Sequence, residues 1–208
     1  MVVKTSGYTS KTSERYLMDA GAVYKNLVFD QTTGVASGDL LGATNGGNEF
    51  VVEQETREVE VDGVKGRAKG NTILVREDAN LTVNLKELTA DNITMAIAGA
   101  AKTDSDITGY DEIKGKGRID LTDYTDSVAL VARLTGSQKP IIILLKNVLS
   151  MEGLTLPTED EGEATIALNL GAHYDIDEAG EEESAFVIYW PKEPSAEPAA
   201  ASTPEEGE

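Results

Sequence analysis

The amino-acid sequence predicts a mostly-β fold, a β-sandwich or small barrel, with one packed α-helix. Apolar and polar residues alternate in several segments, which is the two-residue period of a half-buried strand. Only one segment carries the start and stop signals of a helix. An alternating βαβ arrangement is not expected, because no helical segments lie between the predicted strands.

The predicted strands share either this alternation or a short apolar run bounded by polar residues. In chain order they are residues 23–29, 51–61, 81–86, 128–134, 140–149, 164–174 and 186–190. Segment 140–149 is apolar on both faces, which is typical of a central strand covered on each side. Segment 51–61 is acidic, so it must be solvated or paired with basic partners. Its glutamates are Glu53, Glu55, Glu58 and Glu60.

The single predicted helix begins after Thr89, a residue type that caps helix N-termini well. Asp91 suits the positive end of the helix dipole, and Ile93, Ala96 and Ile97 fall on one face. Gly99 ends the helix after about ten residues. A helix of this length can cover one side of a sheet.

The composition divides the chain into three parts. Residues 1–15 form a polar arm that we expect to be flexible, and residues 16–190 form the domain. Residues 191–208 contain four of the six prolines, separated by Ala, Ser and Glu. Such a segment cannot bury enough apolar surface to offset its ordering entropy, so the sequence predicts a disordered acidic tail.

Acidic residues outnumber basic residues by 37 to 18, which gives a formal net charge of −19. The excess is uneven, because residues 152–208 hold 16 acids and one base. A chain this acidic is not expected to bind nucleic-acid backbones, since that affinity comes from Lys and Arg. Solubility is the simple explanation. The sharper one is a surface that stays near a polyanion without binding it.

The sequence offers few residues for catalysis. His173 is the only histidine and there is no cysteine, which excludes Cys/His pairs, multi-histidine metal sites and disulfides. We expect a structural role for His173, and we expect no enzyme activity, cofactor or metal ion.

Carboxylate pairs are too common here to indicate a glycosidase. Residues 104–109 and 175–180 resemble calcium loops but lack the acidic twelfth residue, so acidic turns between strands explain them better.

Glycines punctuate residues 63–70, but no helix follows and the spacing is not that of a phosphate-binding loop. Lys65, Arg67 and Lys69 instead predict a basic loop tip. In a chain this acidic, the natural partner of that tip is another copy of the same chain. Such a heterologous, head-to-tail contact builds rings and filaments.

Several strings in a fixed order resemble the tail tube (major tail) proteins of long-tailed bacteriophages. They are LGATNGGNEF at 41–50, REVEVDG at 57–63, KG at 69–70, LTVNLKELT at 81–89, GSQKPIIILLKNVLS at 136–150 and EGEATIALNLGAHY at 161–174. The resemblance spans about residues 35–174, most of the predicted domain. It rests on the order of a Gly-Gly-Asn string, an acidic strand, a basic loop, a capped helix and late apolar strands.

The resemblance implies a β-sandwich of the tail-tube type with one helix, assembled into hexameric rings that stack into a tube. It also implies a continuous β-barrel lumen, assembly around a tape-measure protein, and tail terminator and tip proteins as further partners. DNA would pass through the lumen during ejection without specific binding. The protein would belong to the virion and would assemble in the cytoplasm of the bacterial host.

Two sets of residues map onto parts of that family. The long loop that contacts the next ring maps best to residues 61–78, which include Lys65, Arg67 and Lys69. The acidic strand is a candidate lining of the lumen or of a contact between subunits. Its residues are Glu53, Glu55, Glu58 and Glu60.

Two other functions fit the same residues. The inner tube of a contractile injection system shares the fold. An immunoglobulin-like or adhesin-like binding module would use the tail as a linker. Such domains belong to longer secreted chains, whereas the polar segment after the initial Met leads us to expect no signal peptide here. No apolar run approaches the roughly 18 residues that cross a bilayer, so we expect no membrane segment.

Overall fold

A computed structural model describes residues 6–17, 19–29, 36–158, 160, 162–175 and 184–192. Within these residues the chain is mostly β with one α-helix, which confirms the predicted class. The strands are β1 (Ala22–Phe29), β2 (Ala36–Leu40), β3 (Thr44–Glu58), β4 (Thr72–Leu85), β5 (Ala100–Asp104), β6 (Asp111–Gly115), β7 (Thr125–Ala132), β8 (Ile141–Ser150), β9 (Ile166–Gly171) and β10 (Phe186–Tyr189). The helix α1 (Ala90–Ala96) lies between β4 and β5. Residues 193–208 of the predicted disordered tail lie outside the described residues.

Two antiparallel sheets share strand β8. The first sheet has the order β2-β1-β7-β8-β10, and its pairing partners run along Ile141–Val148 of β8. The second sheet begins where Leu149 and Ser150 pair with β9, and it continues through β4 to β3 at the edge. The strands β5 and β6 form a separate two-stranded hairpin.

The main core lies between the two sheets. The first sheet contributes Val23, Val128, Leu130, Leu145 and Val148, and the second contributes Leu81, Val83, Leu85, Ile166, Leu168 and Leu170. Alternate residues are buried in β4 from Ala79 to Leu85 and in β9 from Ile166 to Leu170, as the two-residue period predicts. Burial of each such aliphatic side chain stabilises the fold by about 1.5–3 kcal/mol.

The first sheet also packs on its opposite face. Ala129 and Ile142 form a second buried cluster there with Leu27. Leu27 would share the face of Val23 in a regular strand, but the pairing of β1 is irregular after Lys25, where Asn26 has a φ of 52°. This irregularity places Leu27 in the second cluster, so β8 is covered on both faces as its apolar sequence predicts.

The helix α1 has the predicted cap and is shorter than predicted. The Thr89 hydroxyl accepts a hydrogen bond from the Asn92 backbone N–H at 3.2 Å. The buried Asn92 amide donates to the Leu41 carbonyl at 2.8 Å, and the Ser150 hydroxyl donates to the Ala96 carbonyl at 2.9 Å. Ile97 is already extended, so the helix has seven residues. These bonds hold α1 across one end of the core.

The end of the predicted N-terminal arm contacts the turn between β7 and β8. A short 3-10 helix spans Thr12–Glu14. The Glu14 carbonyl accepts a hydrogen bond from the Gly136 N–H at 2.8 Å, and Leu17 forms an isolated bridge with Leu134. The arm is therefore fastened to the domain just before β1.

Position 99 has room only for glycine. Its φ is +69°, and a Cβ there would lie 2.2 Å from the carbonyl oxygen of Arg118. The Gly99 carbonyl also accepts a hydrogen bond from the Lys116 N–H at 2.8 Å. The chain entering β5 and the chain leaving β6 thus touch backbone to backbone, which fixes the base of the β5–β6 hairpin.

Gly99→Ala should lower the free energy of unfolding more than Gly117→Ala. Both glycines have a φ of +69°, but a Cβ at Gly117 meets nothing within 4 Å. The positive φ costs about 1–2 kcal/mol in either variant, and the clash at Gly99 adds about 1–3 kcal/mol. Urea unfolding of the two variants measures the difference. Equal losses would show that the backbone contact with Arg118 does not exist in solution.

Candidate functional site

The β3–β4 hairpin extends far beyond the rest of its sheet. The strands have 15 and 14 residues, but β9 pairs with β4 only from Asn80 to Leu85. We call residues 53–58 with 72–78 the distal ribbon and residues 59–71 the tip. The long loop expected over residues 61–78 is thus a shorter tip followed by strand. Within the described part of the chain, the distal ribbon has no strand paired to either of its outer edges.

The distal ribbon exposes aliphatic side chains on both faces. Ile73, Leu74 and Val75 are 47%, 50% and 56% exposed. Leu74 lies opposite Thr56 and Ile73 lies opposite Arg57, so they point to opposite faces. Val75 is the extra residue where the register shifts after Glu55, which is a β-bulge. The described part of the chain therefore buries neither face of the distal ribbon.

The four predicted acidic residues do not lie on one face. Glu53 and Glu55 share the face that points away from Phe50, whereas Glu58 lies on the same face as Phe50, which packs against the core. Glu60 lies beyond the end of β3, in the tip. Glu53 is directly opposite Asp78, a like-charge pair that destabilises the isolated ribbon.

Two ion pairs and one hydrogen bond among the described residues offset part of this charge. The Arg76 guanidinium lies 2.5 Å from an Asp78 oxygen, and the Gln54 amide donates to the Glu77 carboxylate at 2.5 Å. Arg67 reaches back from the tip to Glu58 at 2.8 Å. All of these groups are solvent-exposed, so each pair contributes at most about 1 kcal/mol.

The predicted basic residues are all on the tip, but they differ in their contacts. Arg67 is paired with Glu58, whereas no ion pair in the described residues involves Lys65 or Lys69. Val61 and Val64, just before Lys65 in the chain, have exposed side chains. The tip therefore combines exposed aliphatic surface with two ammonium groups that form no ion pair within the described part of the chain.

The sequence did not predict the β5–β6 hairpin, which carries the opposite charge. Its outer end, residues 104–112, holds four acids and no base. Ile107 and Tyr110 are 65% and 69% exposed there. A turn closes the end, with the Tyr110 N–H donating to the Ile107 carbonyl and the Ser105 N–H donating to the Tyr110 carbonyl, both at 3.2 Å. The first calcium-like string is thus a turn between strands.

Two polar clusters fasten this hairpin to the domain. The Lys102 ammonium donates to the Asp91 carboxylate at 2.5 Å, at the start of α1. This hydrogen bond is the main reason why the pKa of Lys102 is raised and that of Asp91 is lowered. At the base, the Lys116 ammonium donates to Asp123 at 2.5 Å and to Asp120 at 3.1 Å.

Asp123 is the least exposed carboxylate of that cluster. Its side chain is 9% exposed and accepts a hydrogen bond from the Asp120 backbone N–H at 2.8 Å. This N–H, and then the Lys116 ammonium, lower the pKa of Asp123 below its ordinary value. The ionised carboxylate therefore stabilises the folded state.

His173 has structural partners. Its backbone N–H donates to the Lys146 carbonyl at 3.0 Å, and its Nδ1 lies 3.0 Å from the Asn147 carbonyl oxygen. Its ring meets Tyr124 edge-on at 5.1 Å. It lines a small polar cavity of about 200 Å³ together with Asp126, Lys146, Asn147, Tyr174, Asp175 and Ser184. In the described ranges, no three His, Asp or Glu side chains are grouped to hold a metal ion.

No protein-family model matches the chain, and no curated protein matches it significantly. Among the described residues, no helix has the length and apolar composition to span a membrane.

Asp123→Asn should lower the urea midpoint at pH 7, because it removes the charge that Lys116 and the Asp120 N–H stabilise. The pKa of Asp123 is lower in the folded state than its ordinary value of 3.8, so its stabilisation is present above the unfolded pKa and is lost as the pH falls through the folded pKa. The gap to the wild-type midpoint should therefore narrow as the pH falls below about 4. The exposed Asp106→Asn is the control and should have little effect. A gap independent of pH would contradict this role of the charge.

Proposed function

We propose that this chain is a structural subunit that assembles with copies of itself into rings that stack into a tube, of the tail-tube type of long-tailed bacteriophages. The observation that carries the proposal is the distal ribbon, which has unpaired edges and exposed aliphatic residues on both faces. The class proposed is therefore a self-assembling wall protein.

A two-stranded ribbon of this kind is marginally stable alone in water. Unpaired edge strands readily pair with another chain, and natural monomers usually block them. Glu53 and Asp78 repel each other across the ribbon, and Ile73 and Leu74 remain in water. Neighbouring copies would supply strand partners, cover the aliphatic residues and bring basic side chains near the acidic face.

The resemblance supports the same proposal. Its strings fall on the elements that build the ribbon and its support. LGATNGGNEF enters β3, REVEVDG leaves β3 for the tip, and LTVNLKELT runs from β4 to the cap of α1. The later strings cover β8 and β9, which hold the second sheet to the first.

A tube of this type has an interior surface and binds other proteins inside it and at its ends. We assign Glu53 and Glu55 to a surface that lines the lumen or a contact between subunits. A negative lumen lets DNA pass without binding, because there are few cations to replace its counterions. A tape-measure protein inside the tube, terminator and tip proteins at its ends, and a place in the virion complete the proposed function.

The purified chain should form rings or tubes as its concentration rises. Sedimentation velocity follows the shift from monomer to large species, and negative-stain electron microscopy shows their shape. Both apolar and charged contacts contribute, so the assembly should depend on salt. A chain that stays strictly monomeric at high concentration, with neither rings nor tubes on the grid, overturns the proposal.

Leu74→Asn should weaken assembly, whereas Leu156→Asn should not. The two leucines are matched at 50% and 51% exposure, but only Leu74 lies on the distal ribbon. Loss of a buried leucine contact costs about 1.5–3 kcal/mol, so the concentration for half-assembly should rise about ten-fold or more. Urea midpoints of both variants should stay near the wild-type value, since both sites are exposed. Equal effects on assembly would remove the ribbon from the contact.

A further inference from the structure

We propose that the tip of one copy binds the acidic end of the β5–β6 hairpin, residues 104–112, of the next copy. This inference rests on the proposed self-assembly and names the surface that receives the tip. The contact pairs Lys65 and Lys69 with Asp104, Asp106 and Asp111, around an apolar centre. It is a heterologous contact between unlike surfaces of identical chains.

The two surfaces lie at opposite ends of the domain. β4 starts at the tip and runs 14 residues, about 45 Å at 3.3 Å per residue, before α1 begins. The end of α1 is at the level of Leu81, because Ser150 bonds to Ala96 and pairs with Leu170, which pairs with Leu81.

The chain then turns back along α1. β5 returns toward the start of the helix, where Lys102 meets Asp91. Residues 105–110 therefore lie beyond the first turn of α1, on the side of the domain away from the tip. A tip at one end and an acceptor at the other is the arrangement that a stack of identical subunits requires.

The charges of the two surfaces are complementary. Residues 61–70 hold three basic residues and one acid, and residues 104–112 hold four acids and no base. Arg67 and Glu112 are already engaged by Glu58 and Lys114. In the contact, Lys65 and Lys69 of one copy pair with Asp104, Asp106 and Asp111 of the next copy. Asp106 forms no ion pair in the described residues of its own chain. Complementary fields of this kind speed association and fix register.

Both surfaces also carry exposed apolar side chains beside their charges. The tip offers Val61 and Val64, and the acidic end offers Ile107 and Tyr110. Aromatic residues at the centre of a contact, rimmed by charged groups, are typical of interfaces between proteins. When two apolar surfaces with oppositely charged rims meet, the apolar side chains are buried and each charged group at the rim faces a group of opposite charge.

The acceptor is held before the partner arrives. Gly99 contacts Arg118 at the base of the hairpin, and Lys102 and Lys116 tie it to Asp91 and Asp123. A surface that is already ordered loses less conformational entropy on binding. The hairpin contributes little to the core, so stability of the core does not explain why it is anchored so well. A role as the acceptor surface in assembly does explain it.

Charge reversal tests the pairing. Lys65→Glu with Lys69→Glu, and separately Asp104→Lys with Asp106→Lys, should each raise the concentration for half-assembly about ten-fold. The chain with all four changes should recover assembly, and so should an equal mixture of the two double variants. Because Asp104 lies near Lys102, the urea midpoint of each variant is measured as a folding control.

The outcomes separate this inference from the proposed function. If the wild-type chain assembles and the four changes together do not restore assembly, the acceptor is elsewhere and the inference is overturned. If the wild-type chain never assembles, both fall. Recovery by the combined variant supports both.

Disulfide cross-linking gives a second test that does not depend on charge reversal. The chain has no cysteine, so Lys65→Cys and a size-tagged Asp106→Cys carry one thiol each. Their mixture should form a linked heterodimer on oxidation, since a disulfide needs Cα atoms within about 7 Å. Asp39→Cys, an exposed acid on β2, is the matched control and should not link to Lys65→Cys. Linking to Asp39→Cys instead of Asp106→Cys in an assembling protein would overturn the inference.

Discussion

Strand β8 pairs with β7 and β10 along Ile141–Val148 and with β9 through its last two residues, so both sheets depend on it. A strand in this position must be apolar on both faces. Leu145 and Val148 point into the main core, and Ile142 points into the second cluster. Because β8 is fixed on both sides, β9 and then β4 are held in register, and β4 in turn carries the projecting hairpin.

The proposed assembly surfaces are built at increasing distance from that strand. The main core ends near Ala79, which is buried, and the distal ribbon begins where no further strand supports β4. On the other side, α1 and two ion-pair clusters hold the β5–β6 hairpin away from the sheets. Local stability falls with distance from the core, so exposed edges and side chains lie where a neighbour could replace the missing support.

The sequence predicted the parts of the fold that the two-residue period and helix caps govern. β4 from Leu81 to Leu85, β8 and the Thr89 cap all depend on neighbouring residues in the chain. The β5–β6 hairpin was missed because neither of its strands alternates, and its place depends on the contact of Gly99 with Arg118. The first half of β4 falls inside the loop that the resemblance implies over residues 61–78, and the bulge at Val75 breaks the alternation that would have indicated a strand there. The faces of Glu53 and Glu58 could have been assigned from sequence, since an odd and an even position of one strand point apart.

The β3–β4 and β5–β6 hairpins project from opposite ends of the domain, and this affects the proteins that would bind the two ends of a stack. A stack built from chains with unlike ends has a polarity, so one terminus displays basic tips and the other displays acidic hairpins. A protein that starts growth and a protein that stops it would then meet different chemistry, and neither could replace the other. Subunits would add to each growing end through a different half of the same contact.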